Sequence, residues 1–200
     1  MGELPLVVSH YTVDTGYEVE VRNLIASLET FDLDYYVEPI KSLGTWRANS
    51  NYCSKLVMNA LNDNPGRNVL RVDADAVFKQ LPTLLAEDAF TADVAAHVHD
   101  FPWHQRELLG GTIFFRNTSE VRRLVCEWAR CSTVTQSHLR NPDLLQALLK
   151  SGKYAVQFAE LPGIYCKIFD LMADVQDPVI EHYQASRRFK SQVNHAGVRR

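Results

Sequence analysis

Two kinds of apolar pattern alternate along this chain. Short runs at residues 4–8, 33–37 and 69–72 read as strands, and the last is apolar, rich in β-branched side chains and suited to burial. Between them, Val21, Leu24, Ile25 and Leu28, then Cys53, Leu56, Val57 and Ala60, recur at helical spacing. This predicts one helix over 17–29 and a second starting near Cys53. The polar stretch 41–51, with Gly44, Trp46 and Arg47, reads as a loop, and NDNPG at 62–66 stops the second helix. The opening is therefore β-α-β-α-β, which predicts a parallel sheet covered by helices.

The pattern continues less regularly. A short helix is predicted at 81–86, strands at 93–98 and 111–115, and a helix after Asn117 carried by Val121, Leu124, Val125 and Trp128. Asn141 and Pro142 start another helix that Gly152 ends. Strands follow at 154–161 and 178–182, separated by an irregular segment, and the remainder reads as a basic tail. With no repeat, linker or low-complexity segment, residues 1–200 are expected to form one α/β domain.

The run NVLRVDADAVF concentrates the chemistry. Its apolar strand ends in Asp73 and Asp75 with only Ala74 between them. On an extended backbone, residues two apart point to one side, so both carboxylates would occupy one small volume at the carboxyl end of a strand. Such a pair repels unless a cation joins it, and oxygen ligands suit Mn²⁺ or Mg²⁺. The same spacing also occurs where an Asp merely forms a turn or caps a helix. Further along, His182 follows a short apolar run, and Arg187, Arg188 and Lys190 follow it with the chemistry to bind phosphate. A solvated basic tail would look the same. His97 and His99 alternate on a predicted strand and His104 follows, but their spacing fits structural histidines better than a metal site. Gly110 and Gly111 allow close backbone approach. Asp143, in the first turn of a helix, is favoured there by the dipole whatever else it does.

Composition narrows the partners. The 200 residues are 46% hydrophobic and 22% charged, with a net charge of −3. That balance gives no general support to a nucleic-acid acceptor, and no apolar run reaches the length of a membrane span. The four cysteines lack zinc spacing. MGELPLVV has neither the basic region nor the long apolar stretch of a secretory signal, so a cytoplasmic protein is expected.

Taken in order, LPLVVSHYT, GTWRANSNYCSKLVMNAL, VLRVDADAVF, GGTIFF, PDLLQALL, AELP and VIEHYQASRR resemble the GT-A-fold glycosyltransferases. These are the nucleotide-diphospho-sugar transferases, and the likeness is to the family 8-like, glycogenin-like and galactosyltransferase-like groups. The pieces span most of the chain. The resemblance implies a GT-A, Rossmann-like, mainly parallel sheet flanked by helices. It also implies transfer of a sugar from a nucleotide-sugar donor, UDP-linked, to an acceptor hydroxyl, with retention of configuration. It implies metal ligation by Asp73, Asp75 and His182, and donor binding by Tyr11, Thr12, Lys55, Arg71, Asp73, Arg187 and Arg188. Gly110 and Gly111 would lie by the sugar and acceptor, and Asp143 would orient one of them as the catalytic residue. The family's late His-x-x-Gly-x-x-Lys pattern is partly kept: Ala185 replaces the glycine and Arg188 the lysine, and His195 is a second candidate ligand.

Two other classes fit parts of the sequence. A HAD-like phosphohydrolase would use Asp73 as nucleophile and Asp75 as acid/base, with Asp170 and Asp174 as its late acidic pair. Its nucleophile strand normally opens the domain, whereas here a β-α-β-α lead precedes it. A non-catalytic nucleotide-binding domain of the same fold is the third reading.

Overall fold

The computed structural model describes residues 2–101, 106–134 and 140–194. A six-stranded sheet forms its centre, built from β1 (Leu6–Thr12), β2 (Tyr35–Ile40), β3 (Val69–Val72), β5 (Val94–His99), β6 (Glu107–Phe115) and β7 (Phe158–Glu160). The order is β2-β1-β3-β6-β5-β7. β6 runs antiparallel to both its neighbours, and the other pairings are parallel. A second, three-stranded sheet has the order β4-β9-β8, from β4 (Ala76–Phe78), β8 (Lys167–Ile168) and β9 (Ile180–His182).

Alternation along the central strands sends side chains into two cores. On one face Val8, Val69, Ile113 and Phe115 pack against α2 (Trp46–Asp63), α3 (Ser119–Val134) and α4 (Asn141–Lys150). Trp128 of α3 is fully buried there, stacks on Phe115 and donates its indole N–H to the Asn141 carbonyl at 3.1 Å. That bond satisfies the polar atom of a large buried ring. On the other face Val7, Leu70, Val72 and Phe114 pack against α1 (Tyr17–Thr30) and the small sheet.

Several boundaries differ from the sequence expectations, each for a physical reason. β1 continues through Thr12 because β2 pairs with it that far. α2 begins at Trp46, not near Cys53, with the Thr45 hydroxyl accepting the Ala48 N–H at 3.1 Å. Its first two turns carry Asn49, Ser50 and Asn51 toward a cleft, so they lack the apolar stripe that marks a helix. The strand expected over 154–161 is only Phe158–Glu160 at the sheet edge. The expected short helix near 81–86 is a single 3₁₀ turn, Thr83–Leu85. The basic tail contains a helix, α5 (Ser186–Asn194), anchored by Val193 and by Phe189 edge-on to Tyr17. No helix among the described residues is long and apolar enough to cross a membrane.

Candidate functional site

β3 ends at Val72, and the backbone does not stay extended through Asp73–Asp75 as the spacing argument assumed. It turns: the Ala76 N–H donates to the Asp73 carbonyl at 3.0 Å, and the Asp73 N–H to the Gly111 carbonyl at 2.9 Å. The two carboxylates still converge, because the turn reverses into β4. β4 then pairs antiparallel with β9, placing Ala76 opposite His182. One ligand atom each of Asp73, Asp75 and His182 lies within 4.8 Å of the others.

Each member of this trio is positioned by different contacts. Asp75 is 9% exposed and accepts the Ala185 N–H at 2.7 Å. Burial disfavours its charge, but His182 and that backbone donor outweigh burial and hold its carboxyl below the usual range. His182, 2% exposed, contacts the Thr112 hydroxyl through Nε2 at 2.8 Å. Its Nδ1 faces Asp75 at 3.6 Å, is buried and has no hydrogen-bond partner. Burial lowers the basicity of this ring, yet the Cys166 and Asp75 side chains beside it push it up to about 10. Two carboxylates, an imidazole nitrogen without a partner, and one compact volume fit a hard or borderline divalent ion. Asp73 is paired with Arg71, which is 6% exposed and also donates to the Gly110 carbonyl.

Two adjoining chambers meet at this centre. The first, about 130 Å³, is lined by His10, Tyr11 and Thr12 of β1, Tyr17, the start of α2, and Ser186 and Val193. The second, about 260 Å³, is lined by Asn51 and Cys53 of α2, Gly110, Gly111, Arg140 to Pro142, Cys166 and His182. Trp46, Ser50, Arg71, Asp73 and Gln184 line both. Gln184 sits at φ 53°, a left-handed turn that sends the chain from β9 into α5 across the cleft.

The double glycine has a steric explanation. A Cβ on Gly111 would lie 3.0 Å from the His182 ring, and one on Gly110 would lie 2.5 Å from Pro142 Cγ. Both residues line the second chamber, but close packing is what requires glycine there.

The structure thus brings Tyr11, Thr12, Arg71, Asp73, Asp75, Gly110, Gly111 and His182 around one cleft. It does not bring Lys55, which is exposed on α2 with its ammonium over the Tyr52 ring. Arg187 pairs with Asp170, and Arg188 with Glu20 at 2.6 Å, both away from the two chambers. The Asp143 carboxylate accepts from the Arg140 backbone and side chain at the start of α4 and lines neither chamber. His97 Nδ1 donates to the Leu161 carbonyl at 2.9 Å, and His99 packs on Phe101. His104 and His195 lie outside the described residues. Trp46, Asn49 and Gln184 line the cleft, and Thr112, buried behind it, contacts His182; the motif reading missed all four, since each is polar or aromatic without a diagnostic spacing.

No protein-family model matches this sequence, and none of the curated proteins does. Solved structures do match. A glycosyltransferase involved in the glycosylation of the major capsid of PBCV-1 superposes with a TM-score of 0.70 at 12% identity, over 95% of this chain and 98% of that one. Mouse xyloside xylosyltransferase 1 in its apo form gives 0.56 at 12% identity, over 92% and 99%. The galactosyltransferase LgtC, in complex with donor and acceptor sugar analogues, gives 0.53 at 10% identity, over 89% and 86%. The chain has the GT-A glycosyltransferase fold.

Proposed function

We propose that this protein is a metal-dependent glycosyltransferase that moves a sugar from a UDP-linked donor to an acceptor hydroxyl, with retention. The observation that carries the reading is the meeting of Asp73, Asp75 and the unpartnered Nδ1 of His182 where two chambers join. Asp73, Asp75 and His182 would hold Mn²⁺ or Mg²⁺, whose positive charge would favour departure of the nucleoside diphosphate. The first chamber suits the nucleotide, with Tyr11, Thr12 and Tyr17 at its wall. The second suits the sugar and acceptor, floored by Gly110 and Gly111 and flanked by Trp46. An inverting enzyme needs a base beside the attacking hydroxyl. Among the described residues of the second chamber, Asp73 is the carboxylate, and this reading already assigns it to the metal. That arrangement favours retention.

The test is a donor screen. Nucleotide-sugars are incubated with the protein and Mn²⁺, and donor hydrolysis and thermal shift are measured with and without EDTA. Metal-dependent cleavage of a UDP-sugar with no hydrolysis of simple phosphate monoesters supports the proposal. A phosphoryl or beryllofluoride adduct on Asp73 would instead establish a phosphohydrolase.

A further inference from the structure

The cleft contains a permanent cation of its own. Arg71 leaves β3 on the same side as Asp73, is buried, and donates one guanidinium nitrogen to Asp73 and the other to the Gly110 carbonyl. Its Nε–H is also buried and has no hydrogen-bond partner. A guanidinium cannot lose its proton under protein conditions, so its charge stays beside the carboxylate pair at every accessible pH. The Asp73 side chain is 47% exposed, and it faces the cleft while Arg71 holds it. A divalent ion arriving at Asp73, Asp75 and His182 therefore meets an existing positive charge on one of its ligands. Two cations sharing a carboxylate repel.

We propose that Arg71 is a resident counter-cation that competes with the divalent metal for Asp73 and is drawn off by the donor diphosphate. This inference rests on the metal-site reading above. Metal alone binds weakly, because the guanidinium already neutralises Asp73. A diphosphate offers new anionic acceptors to the guanidinium, including its unpartnered Nε–H, and charge-assisted pairs of that kind are strong. Asp73 is then released to the metal. Metal and nucleotide consequently strengthen each other's binding, by the same factor in both directions. Arg71 lines both chambers, so it can reach a diphosphate at their junction.

The experiment measures Mn²⁺ binding itself, by loss of the free-ion paramagnetic resonance signal, with and without UDP. Arg71→Met is expected to bind Mn²⁺ alone about tenfold more tightly than wild type, and its gain on adding UDP is expected to shrink by a similar factor. Arg71→Lys keeps the charge and is expected to stay near wild type. Equal or weaker Mn²⁺ binding in Arg71→Met overturns the inference. Asp75→Asn is the control for the site: if it binds Mn²⁺ like wild type, the metal-site reading fails, whereas loss of binding there with no gain in Arg71→Met sinks only the role of Arg71. Should Arg71→Met not fold, wild-type protein with ¹⁵N-arginine answers the same question. The Arg71 Nε–Hε resonance, identified by its absence from Arg71→Lys, is expected to move when Mg²⁺ and UDP are added together. A resonance that stays in place while thermal shift shows both bound overturns the proposal.

Discussion

His182 presents Nδ1 to the Asp75 carboxylate at 3.6 Å, across a two-strand ladder whose register sets Ala76 opposite His182. Neither side chain alone would hold a cation. If they form one site with Asp73, removing either should abolish metal-dependent donor cleavage without unfolding the protein. His182→Ala should lower turnover of the nucleotide-sugar at least about tenfold, equivalent to roughly 1.4 kcal/mol of transition-state stabilisation. Asp75→Asn should do the same. Calorimetry showing unchanged UDP-sugar affinity with and without Mn²⁺ in wild type would refute the assignment.

The two glycines of GGTIFF should fail differently. Gly110→Ala drives a methyl into the Pro142 ring at the start of α4, and about 1–3 kcal/mol of stability should be lost, as for other overpacked sites. Gly111→Ala pushes on the His182 ring, where the contact is less severe. It should cost less stability yet weaken Mn²⁺ binding more. Urea titrations read the first effect and Mn²⁺ titrations the second. Equal effects of both variants on both readouts would contradict the steric account.

His10 gives the protein an acid-sensitive stability. Its Nε2 reaches the Asn49 carbonyl at 2.8 Å, and burial, followed by the nearby Arg71 charge, lowers its pKa from 6.5 to about 4. Between those values the unfolded chain binds the proton and the native protein does not. Stability from this group is therefore complete above about pH 6.5 and declines as pH falls toward 4. The full shift corresponds to at most about 3 kcal/mol. Because the residue is only partly buried, a loss of roughly 1–2 kcal/mol is expected. His10→Gln keeps a donor for Asn49 and should flatten the denaturation profile over that window; an unchanged slope would exclude His10 as its source.

Lys55 and Trp46 lie on the same helix but only Trp46 lines the cleft. Lys55→Ala should leave the donor KM within about twofold, as surface substitutions usually do. Trp46→Ala should raise KM by about fivefold, corresponding to the roughly 1 kcal/mol that an aromatic contact contributes beyond its area. A large KM effect of Lys55→Ala would place the diphosphate elsewhere on α2.

β1 and β3 were legible because they carry short runs rich in Val and Leu, and α1 and α3 because they carry an apolar stripe. Asp73 and Asp75 were legible from spacing, although the turn that brings them together differs from the extended backbone first assumed. The short elements were not legible. β4, β8 and α5 owe their structure to partners distant in sequence: Phe78 to Ile180, Ile168 to His182, Phe189 to Tyr17. The surroundings of the basic residues were not legible for a related reason. Charge type in Lys55, Arg187 and Arg188 matched phosphate binding, but Glu20 and Asp170, remote in the chain, engage the two arginines. A sequence shows which side chains carry charge; the fold decides which charges neutralise one another before a ligand arrives.

The pairing of β4 with β9 also sets an order of events during synthesis. Domains emerge N-terminal end first, so Asp73 and Asp75 leave the ribosome well before His182 and the Ala185 backbone that later restrain Asp75. In that interval Asp75 still lacks the Ala185 N–H and the His182 ring that flank it in the folded protein. If the trio holds a cation as proposed, its capture would await β9, since a nascent chain stalled before residue 180 would carry both carboxylates without the imidazole.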